Sequence, residues 1–198
     1  MIKSSKRIGS IFLLFILFSF MVAMAPGAAV AEDLAVAVYG ARLTKEKWEK
    51  AILPDADYAD ATIVVAAGSW TVKRFFEGKL SVELEAQIGK YFGDQDHWEF
   101  NAPIIGLRWH RFPWDDLLDT SFAWGIGPSY ATEEPEVELE TNENTNRWLI
   151  YWFGEFTFGP PAANWEVLLR LHHRSDGFST VAEDGGSNAL GAGIRFHF

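Results

Sequence analysis

Trp165-Glu166-Val167-Leu168-Leu169-Arg170-Leu171-His172-His173-Arg174-Ser175 carries one apolar row with a period of two: Trp165, Val167, Leu169 and Leu171. Alternation at that period is the signature of a β-strand with two unlike faces. The same row then runs into His173 and Ser175, while Arg170 and His172 fall on the opposite parity. A base and a hydroxyl therefore leave one greasy face two residues apart, about 6.6 Å along the backbone. Their side chains can meet across that gap, as nucleophilic catalysis requires. What the apolar face touches decides the rest.

The pattern extends along the chain. Strand-like runs fall near 34–43, 61–75, 79–92, 97–112, 120–131, 146–158, 164–175 and 187–198, separated by turn-rich segments. Leu80, Val82, Leu84, Ala86 and Ile88 oppose Ser81, Glu83, Glu85, Gln87 and Gly89, and Leu190, Ala192, Ile194, Phe196 and Phe198 oppose Gly191, Gly193, Arg195 and His197. One parity apolar and the other small or charged predicts an all-β fold, an eight-stranded antiparallel transmembrane up-and-down β-barrel with lipid outside and a polar lumen. Glu83, Glu85 and Glu155 would then pair with Arg170 and Arg195 inside it. Pro103 interrupts the fourth run where the apolar parity switches, which predicts a bulge.

A soluble barrel with its apolar face inward is the competing reading. Two features weigh against it. The last run ends at Phe198 with aromatics on alternate positions, resembling the C-terminal signal read by outer-membrane assembly machinery, which is thereby an expected partner. Trp98 and Trp148 fall near one rim, and Trp114 and Trp165 near the other, as interfacial belts do. The connections near 44–60, 93–96, 132–145 and 176–186 are expected outside, and the shorter ones near 76–78, 113–119 and 159–163 in the periplasm.

Composition agrees. Lys3, Lys6 and Arg7 precede the apolar Ile11–Val22 segment, and Ala29-Val30-Ala31 offers a small-x-small cleavage site. Residues 1–31 therefore read as a signal peptide and 32–198 as one barrel domain. Without those three cations the balance is 14 basic against 27 acidic residues, which argues against nucleic acid as a partner. The absence of cysteine excludes thiol catalysis and cysteine metal sites. Nine Trp and sixteen Phe in so short a chain fit a girdled barrel.

With the seventh run directed outward, His173 and Ser175 reach the outer leaflet on the lipid-facing row. Polar groups there are costly unless they meet the interface or do work, and the leaflet at that depth holds the ester-linked acyl chains of lipid A. Here the sequence resembles the outer-membrane lipid A 3-O-deacylases in its signal peptide, size, eight-strand pattern and the motif His173-Arg174-Ser175 within His-His-Arg-Ser-Asp-Gly. The resemblance implies His173 as base, Ser175 as nucleophile, a carboxylate orienting the histidine, and lipid A of lipopolysaccharide as substrate. It departs at the acid: a dozen residues past the serine stands Ser187, and Asp176 stands where the family often has Asn. Glu183 is the expected substitute, with Asp184 beside it. Backbone amides around Asp176-Gly177 are expected to stabilise the oxyanion.

Other readings are plainer. His172 is expected in the lumen beside Arg170. Arg174 is expected as a solvated loop-edge charge, with a lipid A phosphate as its sharper alternative. The run from Glu133 to Glu143 matches no calcium loop and reads as a solvated external loop. No cofactor or metal is implied. The alternative to the esterase is a non-enzymatic small barrel with a structural or surface-interaction role.

Overall fold

A computed structural model describes residues 33–53 and 55–198; the expected signal peptide lies outside the described residues. Nine strands follow in order: β1 (Leu34–Thr44), β2 (Tyr58–Phe75), β3 (Leu80–Gly93), β4 (Trp98–Asn101), β5 (Ile105–Trp109), β6 (Asp119–Ala131), β7 (Trp148–Gly159), β8 (Trp165–Ser175) and β9 (Gly186–His197). Every pairing is antiparallel between neighbours, and β9 returns to β1. β4 and β5 both bridge β3 to β6, so they form one interrupted stave and the ring has eight. Closure leaves no sheet edge, the condition for a sheet to stand in hydrocarbon.

The interruption has a local cause. Pro103 has no N–H to give the ladder, and the backbone loops there while its carbonyl still accepts from Glu85 N–H at 3.0 Å. Parity changes across the break as expected: Trp98 and Phe100 turn outward before it, and Ile105, Leu107 and Trp109 after it. Gly127 sits against the loop because a Cβ there would lie 2.0 Å from the Ala102 carbonyl oxygen.

The polarity of the barrel is inverted relative to a soluble protein. Arg108, Arg170 and Arg174 are buried inside it, while Trp70, Phe100, Phe122, Phe156, Leu169 and Ile194 are exposed on the outer wall. Arg108 donates to Glu83 at 3.0 Å and to Glu155 at 2.8 Å, and Arg170 donates to Glu155 and Glu85, each at 2.7 Å. Arg195 reaches Glu83 at 3.3 Å. Glu155, itself buried, thus bridges two guanidinium groups. Removing one member of such a buried set costs about 3–5 kcal/mol because the partner charge stays behind. Glu155→Ala is therefore expected to lower the stability of the folded barrel by that amount in urea titrations, with Glu155→Gln losing less because it can still accept a hydrogen bond. Equal stability of the alanine variant and the parent would contradict the network's role.

Three of the four connections at one end are long (45–57, 132–147 and 176–185, the fourth being 94–97), and those at the other end are shorter than these three (76–79, 110–118 and 160–164). Leu34 and Phe198 meet at the short-turn end, where Phe198 N–H donates to Leu34 O at 3.0 Å. Two short helices lie in the long connections: α1 (Trp48–Ala51) and α2 (Glu136–Thr141). The acidic run is not wholly solvated as its composition suggested. Glu138 on α2 is fully buried, accepting from Arg174 Nη1 and Ser187 Oγ at 2.8 Å each and bonding Thr145. Gln95 Oε1 accepts from Val137 N–H at 3.3 Å. The helix therefore stoppers the mouth above a lumen already filled by ion pairs. Purified protein in planar bilayers is expected to show no steady ion conductance; a stable open channel would refute a sealed lumen.

Candidate active site

β8 lies between β7 and β9, and its register sets what surrounds the motif. Ser175 faces Ile150 on one side and Gly186 on the other; His173 faces Trp152 and Asn188. Both belong to the outward row of Trp165, Val167 and Leu169, each of which is exposed. They lie at the long-loop end of that row. His172, on the other parity, is buried in the lumen, with its ring nitrogens 2.9 Å from Tyr39 Oη and 2.7 Å from Glu99 Oε1. Its expected place in the internal network is the observed one. Arg174 departs from expectation: it is buried, not at a solvated edge, because its parity points inward and Glu138 reaches down to meet it.

The ring of His173 is held on two sides. Its centroid lies 4.5 Å from that of Trp152, and Nδ1 lies 2.5 Å from Asn188 Oδ1. Asn188 Nδ2 donates to the Glu46 carbonyl at 2.9 Å. That bond fixes which way the amide faces, so only its oxygen is turned to the ring. Nδ1 must then carry the proton, leaving Nε2 as the free acceptor. This is the tautomer a general base needs, and it is set here by a neutral amide.

The expected acid does not reach the ring. Glu183 is exposed in the 176–185 connection, and its carbonyl accepts from Ser179 Oγ at 3.3 Å. Asp184 instead accepts from Glu143 N–H at 2.8 Å, tying two long loops together. Register is the reason: the antiparallel pairing that opposes His173 selects residue 188, and both acids precede β9. Ser187, at the spacing expected for the acid, has inward parity and donates to Glu138.

Ser175 shares the row with His173 but is turned away from it. Its hydroxyl donates to Asp176 Oδ1 at 3.3 Å and accepts from Gly177 N–H at 3.1 Å. Asp176 also caps the turn, accepting from Phe178 N–H at 3.2 Å and Ser179 N–H at 2.9 Å. Oγ has to exchange its bond to Asp176 before it can donate to Nε2. The expected oxyanion donors are otherwise engaged: Asp176 N–H donates to Gly185 O at 3.1 Å, and Gly177 N–H holds the serine. Gly177 adopts a φ of +68°, which favours glycine. Among the described residues no group of three or more His, Cys, Asp or Glu could hold a metal ion.

The outer-membrane enzyme PagL superposes with a TM-score of 0.59 at 12% identity, covering 82% of this chain and 98% of that one. Neisserial surface protein A superposes with a TM-score of 0.51 at 11% identity, over 85% of this chain and 99% of that one. The chain has the outer-membrane β-barrel fold. Its apolar outer wall and charge-filled lumen require the same setting, so the outer membrane is where it resides. At such identities the likeness carries architecture alone. No protein-family model and no curated protein matches the sequence.

Sequence reasoning missed Asn188 and the buried Glu138. Asn188 had a signal: it is the one amide on the outward row of β9, two residues before Leu190. Glu138 had none, since the acidic run offers six similar candidates.

Proposed function

We propose that the protein is an outer-membrane esterase that removes the 3-O-linked acyl chain of lipid A, using Ser175 as nucleophile and His173 as base, with Asn188 rather than Glu183 as orienting residue. The observation that carries this reading is the His173–Asn188–Glu46 chain of hydrogen bonds, which leaves Nε2 unprotonated on the outward row that also carries Ser175. A histidine merely solvated at an interface has no need of a fixed tautomer.

The chemistry closes without a cofactor. Ser175 rotates, and its Oγ attacks the ester carbonyl carbon as its proton passes to His173 Nε2. Collapse of the tetrahedral intermediate breaks the bond to the sugar oxygen, which takes that proton and leaves as the free 3-hydroxyl. Water, deprotonated by the same imidazole, then cleaves the acyl-serine and releases a 3-hydroxy fatty acid. Rotation of Ser175 also frees the Gly177 N–H, now bonded to Oγ at 3.1 Å, to donate to the oxyanion. PagL is described as an outer-membrane enzyme, and the resemblance at His173-Arg174-Ser175 is to lipid A 3-O-deacylases.

A second reading has its own support. The resting serine is bonded to Asp176 instead of the imidazole, and no carboxylate meets the ring. A non-enzymatic barrel that keeps the motif without its reaction would look this way. Weighing lipid A extracted from a Gram-negative host that expresses the protein separates the two: loss of one 3-hydroxyacyl chain supports the esterase, and an unchanged mass with inserted protein supports the silent barrel.

A further inference from the structure

The connection carrying α1 is fastened to β1 and to β9, the strand that pairs with the motif-bearing β8. Glu46 O accepts from Asn188 Nδ2 at 2.9 Å and from Thr44 Oγ1 at 3.4 Å, and Ala51, the last residue of the helix, is fully buried. So fixed, Trp48 meets Trp152 edge-on with ring centroids 6.0 Å apart, and Trp152 in turn packs on His173. The helix and its exit nonetheless leave apolar surface uncovered: Trp48 is 46% exposed, Ile52 54% and Leu53 46%. Burying apolar side chains is favourable, so three left open on an otherwise tethered loop call for an occupant. Through Trp152, which stands opposite His173 on the neighbouring strand, the surface joins the lipid-facing row, which makes that occupant an acyl chain of the leaflet.

Resting on the esterase reading, we infer that α1 is the acyl-chain wall of this site: the chain of the ester to be cleaved packs against Trp48 and Trp152, which sets its carbonyl beside Ser175. Trp48 is thus a positioning residue that selects chain length, while the opposite side of the barrel (β2 to β4) sees only bulk lipid.

The test uses the inert Ser175→Ala protein, so that it reads contact and not turnover. It is reconstituted in phosphatidylcholine vesicles with lipid A bearing a diazirine on its 3-O-acyl chain, irradiated, and mapped by peptide mass spectrometry. Adducts are expected to concentrate in 45–53 and 148–153. Adding Trp48→Ala should reduce them several-fold, and Trp48→Phe should retain them, which a loop that simply unfolds would not do. Adducts spread evenly around the barrel, or unaffected by Trp48→Ala, would overturn the inference. In active protein Trp48→Ala should raise KM far more than it lowers kcat and flatten the preference among acyl lengths. Failure of the esterase reading shows separately, as unchanged lipid A mass with the wild-type chain.

Discussion

Lipid A from a Gram-negative host expressing the protein is expected to lose the mass of one 3-hydroxyacyl chain, and Ser175→Ala and His173→Ala are each expected to abolish that loss. Neither side chain holds the barrel together. Both sit on the outer row, and the bonds of Ser175 stay within its own turn. The variants should therefore insert and keep the heat-modifiable mobility of the parent, so a lost signal reports chemistry and not folding. The expected size is large because nucleophile and base act as a unit. Removing either from such a pair costs up to about 10⁶-fold in rate, well past what mass spectrometry of whole-cell lipid A would detect. His172→Ala is the contrasting variant. It removes the partner of Tyr39 and Glu99 in the lumen and should cost stability while leaving the lipid-facing reaction in place. Deacylation that survives Ser175→Ala would end the serine mechanism outright.

The fold was legible because a barrel writes its two environments on alternate residues. Leu80 to Ile88 and Leu190 to Phe198 announce their faces without any knowledge of neighbours, and Pro103 marks its own break. The motif's placement was legible for the same reason, since parity alone sends His173 outward and His172 inward. What could not be read was the registration of one strand on the next. Whether His173 faces Glu183, Ser187 or Asn188 depends on how the 176–185 connection spends its residues. Here the pairing of Ser175 with Gly186 absorbs both acids into the loop. The path of the external loops was equally silent: nothing in Lys47-Trp48-Glu49 says that it folds back on Trp152, or in Val137-Glu138 that the acid turns into the barrel. Such contacts arise from packing between distant segments, which local periodicity does not encode.

Asn188→Asp is expected to raise kcat on lipid A by roughly 10- to 100-fold, and Asn188→Ala to lower it by about 10²-fold, the cost typical of a misplaced catalytic group. The amide already supplies half of what an orienting acid does: it accepts from Nδ1–H and leaves Nε2 free. It cannot supply the other half, a negative charge that stabilises the imidazolium formed when Ser175 gives up its proton. Two unit charges about 4 Å apart interact by roughly 4 kcal/mol at an effective dielectric of 20. Most of that is offset by desolvating the new carboxylate, and the remainder needed for a tenfold gain is about 1.4 kcal/mol. The gain has a structural cost that can be measured apart from it. Aspartate has no N–H for the Glu46 carbonyl, so the tether of α1 is lost and two oxygens face each other where a 2.9 Å bond now stands. The Asp variant should therefore combine a higher kcat with a higher KM, while the 15N shifts of the His173 ring still report a protonated Nδ1. An Asp variant no faster than the wild type, with that tautomer intact, would mean that charge at 188 does not limit the reaction and that Asn188 is not its orienting residue.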